Sequence, residues 1–227
     1  MHSLYVRGSI ARGLAISGVS DLDAFAVFKG KIDKSVRKEW LLETATKIKS
    51  AFPFCVGIDL DFLDHDLLIN SSRGADFRFL IKTQSTCIAG DDLRPALESF
   101  APDLTVAFGC RCLKKDSSDF HNIFLEEVDY SEREIRCEWM MRKLLRAAGE
   151  IAMLKHGRYS RDLYLCWESF SEIYPFLSDE MRKVLYFAVN PSTDLAPVAN
   201  LVHRVTEILL IEFDIASSGV LILTHEK

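Results

Sequence analysis

The chain has 227 residues, enough for one large domain or two small ones at roughly 100–200 residues each. Its 28 Lys and Arg against 33 Asp and Glu give a net charge of −5 with no long basic run, which argues against a nucleic-acid partner held through its phosphates. A composition of 48% hydrophobic and 27% charged residues is too apolar for disorder.

No segment reaches the roughly 18 uncharged apolar residues of a membrane span, and MHSLYVRGS lacks the apolar run of a signal peptide. A cytoplasmic protein without a membrane partner is therefore expected. The six cysteines, Cys55, Cys87, Cys110, Cys112, Cys137 and Cys166, are scattered through apolar surroundings and read as reduced, mostly buried thiols.

The first hundred residues alternate short apolar runs with helical stretches, an α/β pattern. Leu4-Tyr5-Val6 predicts a strand ending at Gly8-Ser9. DLDAFAVF, 21–28, predicts a second, closed by Lys29-Gly30-Lys31. Val36, Trp40, Leu41, Ala45 and Ile48 recur at three- and four-residue steps, so 35–52 reads as an amphipathic helix stopped by Pro53. FCVGIDLDFL, 54–63, predicts a third strand with Asp59 and Asp61 on one side. A short helix over 64–70 and a loop at 71–74 lead to a fourth strand at 86–89.

Residues 101–118 read as a linker, and 119–227 as a helical bundle. Its helices are expected over 135–154, 163–174, 181–189 and 198–213, with 219–223 a stray strand or packed tail. The expected fold is thus α/β plus all-α: a mixed sheet with flanking helices over 1–100, then the bundle.

The chemistry concentrates in Gly8-Ser9, eleven residues, then Asp21-Leu22-Asp23 at the head of an apolar strand. Side chains two apart on a strand point the same way, roughly 7 Å apart, so Asp21 and Asp23 face one site. If the strand of Asp59 and Asp61 is a neighbour, three or four negative charges converge. Like charges that close recruit a cation, and Mg²⁺ suits a site of one or two carboxylates completed by a nucleotide triphosphate. At Gly8-Ser9 a residue without a side chain lets backbone amides approach phosphate oxygens, and the serine hydroxyl adds a donor. Arg7 and Arg12 flank that turn and are expected to neutralise further phosphate charge. These parts suit in-line attack by a hydroxyl on an α-phosphorus with pyrophosphate leaving.

The segment Gly8-Ser9-Ile10-Ala11-Arg12-Gly13 through Ser20-Asp21-Leu22-Asp23 resembles the signature of the DNA polymerase β-like nucleotidyltransferases, in particular the small bacterial branch that includes the aminoglycoside nucleotidyltransferases. The resemblance covers about residues 3–95 and implies a minimal nucleotidyltransferase domain. By it, Gly8 and Ser9 hold the triphosphate, Asp21 and Asp23 ligate metal, and the third carboxylate is Asp59, with Asp61 close behind. That third group serves as metal ligand or as general base. More weakly, 86–93 resembles the stretch joining the two halves of those enzymes. Arg161, in Tyr159-Ser160-Arg161-Asp162-Leu163, stands where they carry a basic residue facing the nucleotide, or else is a surface arginine beside a capping Ser160.

Glu126, Glu127, Glu134 and Glu138 are further acids, read as a solvated surface. Arg142 and Arg146 lie one helical turn apart and are expected to pair with Glu138 and Glu150. The six histidines show no metal spacing. The expected function is a metal-dependent nucleotidyltransferase that moves AMP from ATP to a hydroxyl of a small molecule or protein, using Mg²⁺. The alternatives are a nucleotide-binding regulatory module and a toxin–antitoxin component without turnover. The acceptor and the oligomeric state are left open.

Overall fold

The computed structural model describes residues 1–18, 20–30, 33–71, 74–99, 101–124 and 129–225. Glu126, Glu127 and the middle of the expected 71–74 loop lie outside them. The chain forms two compact units, Met1–Phe100 and Ala101–Lys227.

The first unit is a four-stranded mixed sheet of β1 (Ser3–Arg7), β2 (Leu22–Phe28), β3 (Ile58–Asp64) and β4 (Ser85–Gly90), in the order β3-β2-β1-β4. Strand β1 is antiparallel to both neighbours, while β2 and β3 run parallel. That parallel pair needs a crossover, which α2 (Lys34–Ala51) provides. The helix begins on Asp33, whose carboxylate accepts the Ser35 amide at 2.8 Å.

Period-two alternation along β2 gives one face to Asp23, Phe25 and Val27. The last two enter a core with Tyr5, Leu68, Ile81, Leu93 and Leu97. The strand that carries an acid at its head is therefore anchored by buried apolar residues behind it, and the carboxylate inherits a rigid base. On the opposite face Phe62 lies edge-on to Trp40, with ring centroids 5.0 Å apart.

Three expectations need correction in this unit. Strand β3 starts at Ile58, because 54–57 is a turn whose Cys55 and Val56 carbonyls are taken by the Lys49 ammonium. Helix α2 is present, yet Val36 and Trp40 keep much of their surface exposed. Beyond α3 (His65–Asn70), the approach to β4 is not all loop: it contains α4 (Ala75–Thr83). Arg78 on α4 donates to the carbonyls of Leu68 and Ser71 at 2.6 and 2.8 Å, closing the end of α3.

The second unit comprises α5 (Phe108–Phe124), α6 (Tyr130–His156), α7 (Leu163–Ile173), α8 (Ser178–Val189) and α9 (Leu195–His225). Helix α6 is the hub against which the other four pack. Asp129 caps it through the Glu132 amide, and Gly157, at φ +71°, ends it in the left-handed conformation that glycine adopts without strain. Residues 101–118, expected as a linker, turn helical at Phe108; Cys110, Leu113 and Phe120 bury one stripe of α5. The tail at 219–223, expected as a strand or packed tail, continues α9. No described helix is long and apolar enough to cross a membrane.

Candidate active site

The motif residues of the first unit gather where β1 ends and β2 and β3 begin. Register sets Arg7 opposite Asp23 on one side and Asp23 beside Asp59 on the other. One step before, Asp21 abuts Gly57, whose added Cβ would stand 3.5 Å from the Asp21 Cβ. Asp61 falls one alternation further along, opposite Phe25, and its Oδ1 accepts the Phe62 amide at 2.7 Å. The sheet thus brings Asp59, and not Asp61, against Asp23.

Gly8 follows directly. It sits at φ +72°, and a Cβ there would lie 2.9 Å from Asp23 Oδ2. Both facts require glycine: the left-handed backbone and the close approach of the carboxylate. The amide of Gly8 donates to the Gln84 carbonyl at 3.3 Å, so this N–H serves the fold. Ser9 is the second residue of the short helix α1 (Gly8–Ala11), and its carbonyl accepts the Leu14 amide at 2.9 Å. Arg12 follows α1 and donates from Nε to the Gly8 carbonyl at 3.3 Å, leaving its side chain at the exposed rim.

Arg7 plays a part the sequence did not foretell. It donates to Asp59 Oδ2 at 2.7 Å and stands 3.8 Å from Asp23 Oδ1. The guanidinium bridges the two carboxylates, which explains how like charges share one sheet edge. The pairing becomes legible only once β1 and β2 are known to be antiparallel neighbours in this register.

Asp23 and Asp59 both face the Arg7 guanidinium and Asp21 lies one alternation before Asp23; carboxylates are the kind of group Mg²⁺ takes, one or two at a time, with phosphate and water completing its shell. Among the described residues no three His, Cys, Asp or Glu side chains form a metal cage of their own.

Arg161 belongs to the second unit. It is half-buried rather than a surface residue, and Asp162, not Ser160, caps α7 by accepting the Leu165 amide at 3.1 Å. Its surroundings are Arg146, Tyr159, Glu150 and Cys166. Glu150 is 3% exposed and its carboxylate receives the amides of Gly109 and Cys110 at 3.1 and 2.9 Å, an anchor at the start of α5. Burial drives the Glu150 carboxyl up from its ordinary value, and the two amides oppose that rise. Arg146 does not hold Glu150 as expected: burial, then the charges of Arg161 and Arg142, lower the Arg146 guanidinium to about 10. Arg142 does pair with Glu138.

No family model matches the chain, and no curated protein does. A solved structure that resembles it is spectinomycin adenyltransferase AAD(9) from Enterococcus faecialis, crystallised with ATP and spectinomycin. The two share 12% sequence identity over 92% of this chain and 91% of that one, with a TM-score of 0.59. A likeness at that identity is one of architecture, and the chain shares the fold of that structure: a mixed four-stranded sheet followed by a helical region.

Proposed function

We propose that the protein is a nucleotidyltransferase that transfers AMP from ATP to a hydroxyl of a small molecule or protein side chain. One observation carries the reading: Asp23 and Asp59 stand side by side with Gly8 packed against the Asp23 carboxylate. The Gly-Ser turn and paired acids resemble the motif of the DNA polymerase β-like group, and the ATP with which the similar AAD(9) structure was crystallised fits the same chemistry.

In this reading Asp21 and Asp23 hold Mg²⁺, with Asp59 beside them and Asp61 outside the set. The ion, when bound, neutralises charge on the phosphates. The Ser9 hydroxyl and the Ser9 and Ile10 amides, which have no acceptor within their helix, receive the triphosphate. Arg12 adds positive charge at the rim. Asp59 accepts the acceptor's hydroxyl proton, with its carboxylate oriented by Arg7. The acceptor oxygen bonds to the α-phosphorus as the bond to the bridging oxygen breaks, and pyrophosphate leaves with that electron pair.

A second reading has one observation in its favour. Arg7 already occupies the space between Asp23 and Asp59, as it would in a nucleotide-binding module without turnover.

ATP labelled at the α-phosphate, Mg²⁺ and a panel of hydroxyl compounds test both. The first reading expects pyrophosphate and a labelled acceptor with wild type and neither with Asp23→Asn. Tight Mg–ATP binding with no product would favour the second, and wild type that neither binds nor turns over ATP would overturn both.

A further inference from the structure

We propose that the site takes a single divalent cation, and that the Arg7 guanidinium stands in for a second one between Asp23 and Asp59. The inference rests on the nucleotidyltransferase reading and names the metal stoichiometry of that site.

Enzymes that carry out in-line displacement at phosphorus commonly use two divalent ions roughly 3.5–4 Å apart. Ions that close repel each other and are held only where carboxylates face both. Here the carboxylates placed to share ions across strands are Asp23 and Asp59, neighbours in the parallel register of β2 and β3. The chain sets a cation of its own against that pair. Arg7 Nη2 lies 2.7 Å from Asp59 Oδ2 and 3.8 Å from Asp23 Oδ1.

This cation is built in. Strand β1 lies between β2 and β4, and at Arg7 it is paired on both sides, with Asp23 and with Ser85. The backbone that carries the guanidinium therefore cannot shift without breaking the sheet. The Arg7 side chain is 26% exposed and its Nε is shut off from solvent, so the stem is enclosed and only the tip meets the acids. A guanidinium also keeps its charge at any pH at which the protein is folded. A divalent ion entering between Asp23 and Asp59 must either expel Arg7 or stand against it as a like charge.

Room for one ion is left on the other side of Asp23. Its Oδ1 is turned to Arg7, while its Oδ2 is turned to the Gly8 turn, where a Cβ would come within 2.9 Å. Asp21 lies one alternation before it on the same strand face. The two oxygens of Asp23 thus serve two cations, one supplied by solution and one by the chain. Together they balance the carboxylates of Asp21, Asp23 and Asp59.

The test counts Mn²⁺, used in place of Mg²⁺, bound per chain in the presence of the α,β-methylene analogue of ATP, by electron paramagnetic resonance. Wild type is expected to bind one ion, with no second taken up when free Mn²⁺ is raised tenfold. Arg7→Met is expected to bind two, with the spectrum broadened by the ion next to it. Two ions in wild type, or one in both proteins, overturns the inference.

Should Arg7→Met fail to fold, anomalous scattering from crystals of wild type with Mn²⁺ and the analogue decides. One manganese with Arg7 still on Asp59 supports the inference, and a manganese between Asp23 and Asp59 with Arg7 displaced overturns it. Wild type that binds neither the analogue nor Mn²⁺ overturns the nucleotidyltransferase reading itself, and the stoichiometry with it.

Discussion

Gly8 and Asp23 are in contact: the bare Cα of the glycine, at φ +72°, leaves a space that a methyl group would fill to within 2.9 Å of Asp23 Oδ2. Asp23 lies on β2, Gly8 directly follows the antiparallel β1, and the loop after α1 separates the two in sequence. One glycine thus sets both the turn and the position of the carboxylate.

Gly8→Ala tests that coupling. Left-handed backbone at a residue with a side chain costs roughly 1–2 kcal/mol, and the added Cβ displaces Asp23. Thermal unfolding should shift down by a few degrees, and Mg–ATP affinity should fall by about tenfold or more. Unchanged affinity with lowered stability would confine Gly8 to the turn.

Arg7→Met separates the two readings of the ion pair. If Arg7 orients Asp59, its loss should lower kcat by about tenfold with little change in the ATP KM, because a misplaced group costs rate rather than ground-state binding. If Arg7 blocks the site, the same substitution should raise turnover.

Gly149→Ala tests the packing of α7 on α6. A Cβ at 149 would lie 2.6 Å from Cys166 Sγ and 2.9 Å from its Cβ, and both residues are buried. Overpacking of that kind costs roughly 1–3 kcal/mol, read as a lower urea midpoint. Cys166→Ala in the same chain should recover part of the loss, since it removes the nearer atom.

Glu150 makes the helical unit sensitive to pH. Burial raises its carboxyl above the ordinary 4.5, so between that value and the raised one the native chain keeps a proton that the unfolded chain releases. Stability contributed by this group is greatest below that window and declines as pH rises through it. Glu150→Gln should flatten the decline while costing on the order of 1 kcal/mol at low pH, since one of the two amide bonds to Gly109 and Cys110 loses its acceptor. Urea midpoints across the acidic to neutral range for both proteins give the comparison.

How much of this is legible in the sequence varies with the physics behind each element. Strands β1 and β2 announce themselves because alternation over Asp23, Phe25 and Val27 has a period of two, and α6 because buried residues recur along its length. The start of α5 is hidden because its stripe of Cys110, Leu113 and Phe120 is interrupted by a polar run, Lys114 to Ser118. Helix α4 is masked between two turns for a similar reason, its nine residues giving few repeats. Within the site, the choice of Asp59 over Asp61 as neighbour of Asp23 depends on the parallel register of β2 and β3, and the Arg7 bridge on the antiparallel register of β1. Pairing between strands distant in the chain leaves no periodic mark, so neither is readable from composition or spacing.

Asp23, seated against Gly8, is central because it is the carboxylate proposed to serve a magnesium nucleotide. Titration calorimetry with a nonhydrolysable ATP analogue, with and without Mg²⁺, tests that role on wild type and Asp23→Asn. Binding by wild type should require Mg²⁺ and weaken by about tenfold or more in the variant. Equal binding by the two proteins, or binding indifferent to Mg²⁺, would contradict it.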